Sequence, residues 1–186
     1  MKNAALIPIV LVTALAAIAY AVGAGESKST EPAARGKYLV DAMGCADCHT
    51  PLQLGPNGPE RDMTRHLSGH PAMLVMPPAP KLEPGPWMAT IGATMTAWSG
   101  PWGTTFTANL TPDPETGLGR WTADEFVATM KTGRHMGRGR EILPPMPIPA
   151  VKNFTDEDLR AIFAYLRTLP AVRNRVPDPL PPAEVH

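Results

Sequence analysis

Two cysteines are all this chain of 186 residues has, and both fall within Cys45-Ala46-Asp47-Cys48-His49. Whatever chemistry uses them obliges the surrounding fold to converge on that one stretch. Three chemistries compete: a thiol–disulfide couple, half of a zinc site, and covalent haem attachment. A redox C-x-x-C wants a preceding strand in a βαβ pattern and a helix N-terminus that lowers the thiol pKa. Here the motif follows a helical pattern, and no βαβ alternation is visible. For zinc, His66-x3-His70 follows Cys48 at a spacing that resembles a Cys2His2 site. The intervening segment is rich in proline and glycine, however, and zinc leaves His49 unexplained; His66 and His70 read as surface loop histidines.

C-x-x-C-H is a c-type haem attachment signature. Two thiols add across the two vinyl groups of the porphyrin, and the adjacent imidazole stands over the iron. Cys45 and Cys48 are then the anchors and His49 the proximal ligand of one covalently attached haem c. Attachment of this kind takes place on the exported side of a membrane, and the N-terminus agrees. After Lys2, the run Ala4–Gly25 carries no charge. It is long enough to span a bilayer as a helix, yet small-x-small cleavage sites also suit a signal peptide. Residues 1–25 are therefore a signal peptide or a membrane anchor, and 26–31 a polar tether.

The 17 Lys and Arg balance the 17 Asp and Glu, which gives no support for nucleic-acid binding. Leu, Ile, Val and Phe number 37, of which nine lie in residues 1–24, leaving 28 for the exported part. So few aliphatic side chains predict a domain that draws stability from a large buried cofactor.

Residues 32–44 read as a helix with Pro32 in its first turn and Gly44 at its end. Tyr38, Leu39, Ala42 and Met43 form its apolar set, with Met43 expected in the core. Residues 51–103 hold ten prolines and three of the four tryptophans, which predicts a long wrapping loop; only 87–98 suggests a short strand or hairpin. Thr122-Ala-Asp-Glu125 has the capping-box pattern, and a helix is expected over 123–132, stopping at Gly133. A second start at Thr155 opens a helix through about Thr168, with Leu159, Ile162, Phe163 and Leu166 on one face. Residues 171–186 form a proline-rich extended tail.

A haem with His49 on one side can take a methionine on the other, which raises its reduction potential. Met63, Met73, Met76, Met88 and Met95 lie in the proline-rich segment as packing residues, and Met130 belongs to the 123–132 helix. Met136 and Met146 remain. Met146 is the better candidate, because Leu143-Pro-Pro-Met-Pro-Ile-Pro149 pins its backbone dihedrals and can hold a thioether still.

The order helix, C-x-x-C-H, variable middle, Met-Pro loop and final helix resembles a class I cytochrome c. More narrowly, Asn109-Leu-Thr-Pro-Asp-Pro-Glu-Thr-Gly-Leu-Gly119, Trp121, Gly133–Gly139, Pro144-Pro-Met-Pro147 and Asp158–Arg167 resemble the haem domains of cytochrome subunits of membrane-bound alcohol and sugar dehydrogenases. The resemblance covers about 33–170. It implies a mostly α, cytochrome c-like helical domain over 32–170 around one haem, with first and last helices crossing at Gly36, Tyr165 and Leu166. Those subunits carry several C-x-x-C-H motifs, whereas this chain has one.

The reading is a monohaem electron carrier, not an enzyme, on the periplasmic side of the bacterial inner membrane. It is anchored through residues 4–25 or soluble after cleavage. Its expected partners are redox proteins: a dehydrogenase, a quinol-oxidising complex or a terminal oxidase. Two alternatives stand beside it. A fixed subunit of a respiratory or dehydrogenase complex would use 51–103 and the tail as interface. An open-site haem enzyme or gas sensor would need a distal acid–base group, for which His135 is the candidate.

Overall fold

The computed structural model describes residues 30–83 and 85–182. The leader, most of the tether and residues 183–186 lie outside the described residues. Among the described residues, no helix is long and apolar enough to cross a membrane.

Three long helices make a frame: α1 (Thr30–Ala42), α3 (Ala123–Thr132) and α5 (Asp156–Leu166). Their ends follow local chemistry. The Thr122 side chain accepts from the Glu125 N–H while the Glu125 carboxylate accepts from the Thr122 N–H, which closes the capping box. Gly133 ends α3 at φ 67, a left-handed conformation that glycine adopts without the Cβ penalty. Thr155 caps α5 in the same manner through the Asp158 N–H. The helix α1 starts two residues before Pro32, which still lies in the first turn, where a missing N–H costs little.

Leu39 and Val40 of α1, Phe126, Val127 and Met130 of α3, and Leu159, Ile162, Phe163 and Leu166 of α5 form one apolar core. Phe126 and Phe163 meet with ring centroids 5.4 Å apart. The helices α1 and α5 touch at Gly36, where a Cβ would stand 1.9 Å from the Ala161 carbonyl oxygen and 2.9 Å from the Tyr165 Cβ. Only glycine allows that approach. The Arg35–Asp158 ion pair, at 3.0 Å, spans the same crossing. Tyr38, Ala42 and Met43 are exposed, against the expectation that they join the apolar set, because the buried face of α1 runs through Gly36, Leu39 and Val40.

The segment 51–103 is not a featureless wrap, so a mostly α description is incomplete. Strands β1 (Leu52–Gly55) and β2 (Gly58–Arg61) form one antiparallel hairpin. Strands β3 (Thr90–Ile91), β4 (Ala97–Gly100) and β5 (Gly103–Phe106) form a three-stranded antiparallel sheet. Both tight hairpins turn on Gly-Pro-x-Gly, 55–58 and 100–103, with Pro at the position whose φ it presets. The closing Gly58 and Gly103 take φ 117 and 96. Proline is compatible with such short edge strands because an edge N–H has no obligatory partner.

The C-terminal tail is extended, and it is also a strap. Thr104 and Leu180 exchange backbone hydrogen bonds of 3.0 and 2.8 Å, which adds the tail to the β5 edge. The buried Asn174 amide donates to the carbonyls of Ser68 and His70 at 2.7 and 2.8 Å and accepts from the Ala72 N–H at 2.8 Å. His70 is wholly buried, which corrects its reading as a surface residue; its ring nitrogens contact the Thr96 hydroxyl and the Leu74 carbonyl, each at 2.9 Å. Met63, Met73 and Met88 are exposed instead of packed, while Met76 and Met95 are half-buried.

Candidate functional site

Directly after α1, Gly44 at φ 64 reverses the chain, and α2 (Cys45–His49) follows as a single helical turn. Within one turn, positions i, i+3 and i+4 share a face. Cys45, Cys48 and His49 occupy those positions, so the turn brings both sulfurs and the imidazole to one side. The turn is fixed at its end by two long-range bonds. The Gly69 N–H donates to the His49 carbonyl at 2.8 Å, and the Leu67 N–H donates to the buried Thr50 hydroxyl at 3.0 Å.

The His49 Nδ1 lies 2.8 Å from the Ala108 carbonyl oxygen. A carbonyl only accepts, so Nδ1 carries the hydrogen and the Nε2 lone pair is left for another partner. Burial, opposed by that same hydrogen bond, pushes the His49 pKa below the ordinary value and so favours the neutral ring. This is the ionisation and tautomer state in which an imidazole binds a metal.

Burial pushes the Cys45 thiol up to about 11 and moves Cys48 in the same direction, with Asp47 adding to the rise at Cys48. A thiol–disulfide catalyst needs the opposite shift. The zinc alternative also fails on geometry, because both ring nitrogens of His70 are already engaged, by Thr96 and Leu74.

Met146 is half-buried and packs against the apolar core, as do Cys45 and Ala46 of the helical turn. Leu110, Trp121 and Phe154 are other half-buried apolar side chains on that core. Met136, also half-buried, lies in the short 3-10 turn His135–Gly137, at φ 51. The exposed His135 stands edge-on to Trp121, with ring centroids 5.0 Å apart.

One element with no counterpart among the expected ones ties the two sides together. The chain from β5 onward supplies the Ala108 carbonyl for His49, and three residues earlier Thr105 donates its hydroxyl to the Pro144 carbonyl at 2.7 Å. The signal was present as the run of strand formers Thr104-Thr-Phe-Thr107, β-branched and aromatic, behind a Gly-Pro-x-Gly turn. The same hairpin carries two buried polar atoms with no partner, Trp102 Nε1 and Thr107 Oγ1. A haem is an apolar disc with a carboxylate-bearing edge. Two thiols, an imidazole with Nε2 to spare and a thioether on the same core are residues that fit such a group.

These residues and this frame define a covalent haem protein. The profile of the cytochrome c family matches residues 33–170, and the chain belongs to that family. Its cofactor is a covalently bound haem c with its iron, and its role is electron transfer. The chain is 40% identical to a nicotinate dehydrogenase subunit of Pseudomonas putida over 77 residues, 41% of this chain and 6% of the relative. It is 27% identical over 173 residues to the cytochrome c subunit of a quinone-dependent alcohol dehydrogenase of Gluconobacter oxydans, 90% of this chain and 29% of the relative. The fructose dehydrogenase cytochrome subunit of Gluconobacter japonicus is 28% identical over 151 residues, 78% and 24% of the two lengths. The chain thus spans less than a third of the length of each of these relatives.

Proposed function

We propose that residues 32–170 form a monohaem domain that passes single electrons outside the cytoplasmic membrane, in which Cys45 and Cys48 would hold the macrocycle and His49 and Met146 would ligate its iron. When bound, the haem supplies a one-electron ferric–ferrous couple. The residues do the rest. Ala108 orients His49, the proline-pinned segment presents Met146, and the shared apolar core excludes water, which together tune the potential. The observation that carries this reading is that Cys45 and Met146, about a hundred residues apart in sequence, pack on one core. A Met146→Ala protein should lose the weak red-edge charge-transfer band of methionine-ligated ferric haem and bind carbon monoxide readily. Retention of that band would move the sixth ligand to Met136 or elsewhere.

A second reading concerns partners. Met73, Val75 and Trp87 are 89, 87 and 78% exposed, and Met88 and Ile91 in the same stretch of sequence are exposed too. From Pro71 to Ile91 only Lys81 and Glu83 carry charge. An exposed apolar stretch with so few charges suits a lasting apolar interface more than an electrostatically steered encounter. It supports a fixed cytochrome subunit of a dehydrogenase complex, as the relatives' names would have it, held at the periplasmic face of the membrane by residues 4–25 or released by their cleavage. Purification in mild detergent should then retain a dehydrogenase partner. A Trp87→Glu/Met88→Glu protein that keeps its partner would remove this face from the interface.

A further inference from the structure

The Met146 segment packs on the apolar core but has few hydrogen bonds to locate its backbone. Pro144, Pro145 and Pro147 fix dihedrals and offer no N–H, so the loop cannot be tied down as a strand or helix would be. A backbone hydrogen bond ties its start, from the Ile142 N–H to the Gly133 carbonyl at 2.8 Å, while at its end the Ile148 N–H only closes a local turn onto the Met146 carbonyl, also at 2.8 Å. Between Leu143 and Met146, among the described residues, a single hydrogen bond reaches another element, from the Thr105 hydroxyl to the Pro144 carbonyl. That hydroxyl has one hydrogen; the Trp98 carbonyl, at 3.3 Å, is its more distant acceptor. Thr105 is itself buried on the middle of β5.

The donor sits on a stiff support. The strand pairs with β4 through Thr105↔Trp98 and Ala97↔Phe106. Its continuation is held on both sides, with the Thr107 N–H on the Thr96 carbonyl at 3.0 Å and the His70 N–H on the Thr107 carbonyl at 2.9 Å. That continuation ends at Ala108, which orients His49. One paired strand therefore braces both candidate ligands at points three residues apart, roughly 10 Å along an extended chain.

We infer that Thr105 is the residue that positions Met146 toward the iron, and that its hydroxyl sets how firmly the thioether is held and so contributes to the reduction potential. The inference rests on Met146 being the sixth ligand. Removing the hydroxyl leaves Pro144 without a partner and frees the loop to move as a unit. One hydrogen bond is worth about a factor of ten in an equilibrium constant.

The test compares Thr105→Val and Thr105→Ser in the haem-loaded protein, with Met146→Ala as control. In Thr105→Val the red-edge band should weaken in the ferric protein, and carbon monoxide should bind the ferrous protein about tenfold faster. The potential should fall, because methionine ligation is what raises it; a tenfold change in relative ferrous and ferric ligand affinity corresponds to about 59 mV. Thr105→Ser keeps the donor and should restore all three. A Thr105→Val protein with native band, carbon monoxide rate and potential overturns the inference. So does loss of all three in both variants, which would assign the effect to the threonine methyl. If Thr105→Val fails to load haem, Thr105→Ala is judged by the same three readouts. A Met146→Ala protein that keeps the band sinks the ligand assignment first, and is thereby told apart from failure of the Thr105 role alone.

Discussion

The helical frame buries mainly apolar side chains, whereas the segment from Thr50 to Ala108, apart from Leu67 and Ala97, buries mainly polar ones. The helices α1, α3 and α5 contribute Leu, Val, Phe, Ile and Met to a common core. The middle segment, with the loop and tail against it, buries Thr50, Ser68, His70, Thr96, Thr105, Asn109, Thr111 and Asn174, nearly all hydrogen-bonded. Among the described residues, the one buried polar side chain on a helix is Thr129. The small number of aliphatic residues is thus accommodated in part by a polar interior, which a count of apolar residues does not see. Such networks have many members to satisfy at once, and their loss is felt as orphaned donors and acceptors.

Removing the haem should break this comparison most completely, since both regions end at it. A Cys45→Ala/Cys48→Ala protein made without haem attachment should lose most of its folding free energy. Burying several hundred Å² of macrocycle is worth very roughly 10 kcal/mol at about 25 cal/mol per Å², against a typical total of about 5–15 kcal/mol. Circular dichroism should show no cooperative thermal transition. A sharp transition in the haem-free protein would mean that the polar interior and the apolar core suffice together.

Single changes then separate the regions. Leu159→Ala, fully buried on α5, should cost about 2–5 kcal/mol, since a core truncation leaves a cavity. In the polar interior, Asn174→Ala strips partners from two carbonyls and the Ala72 N–H, and should cost about 3 kcal/mol. Hydrogen exchange distinguishes them: Asn174→Ala should expose residues 68–72 and the tail while the helices stay protected. Uniform loss of protection would make the two regions one cooperative unit. The smaller Thr122→Ala change, which removes a cap, should cost about 1 kcal/mol in chemical denaturation.

The least effect, and the most specific to the polar interior, is on pH. Burial lowers the His70 pKa from its ordinary 6.5, with the Leu74 carbonyl acting against it. The folded protein therefore binds this proton less readily than the unfolded chain. Stability from His70 is full above about 6.5 and is lost as pH falls through the folded value. His70→Gln should flatten the denaturation midpoint's dependence on pH between neutral and mildly acid. An unchanged slope would place the acid sensitivity on another histidine.

The frame was legible because its signals are short-range. Thr122 with Glu125, Thr155 with Asp158, and glycine at 133 each specify an end within four residues, and the apolar spacing of α5 marks its buried face. The cysteines and His49 were legible for the same reason, as one turn of helix carries all three. Tyr38 and Met43 misled because their apolar character does not say which face of α1 meets Ala161. The middle segment was obscured by its ten prolines, although the repeated Gly-Pro-x-Gly turns marked both tight hairpins.

By itself, then, the sequence determined the C-x-x-C-H turn and the three helices, and it proposed a sixth ligand, since each depends on neighbours a few residues away. Tertiary structure decided the rest. No local pattern could pair Ala108 with His49 across 59 positions, Thr105 with Pro144 across 39, or Asn174 with Ser68 across 106. Those pairs exist because a buried donor or acceptor must find a partner wherever the folded chain supplies one, and sequence distance does not enter that requirement.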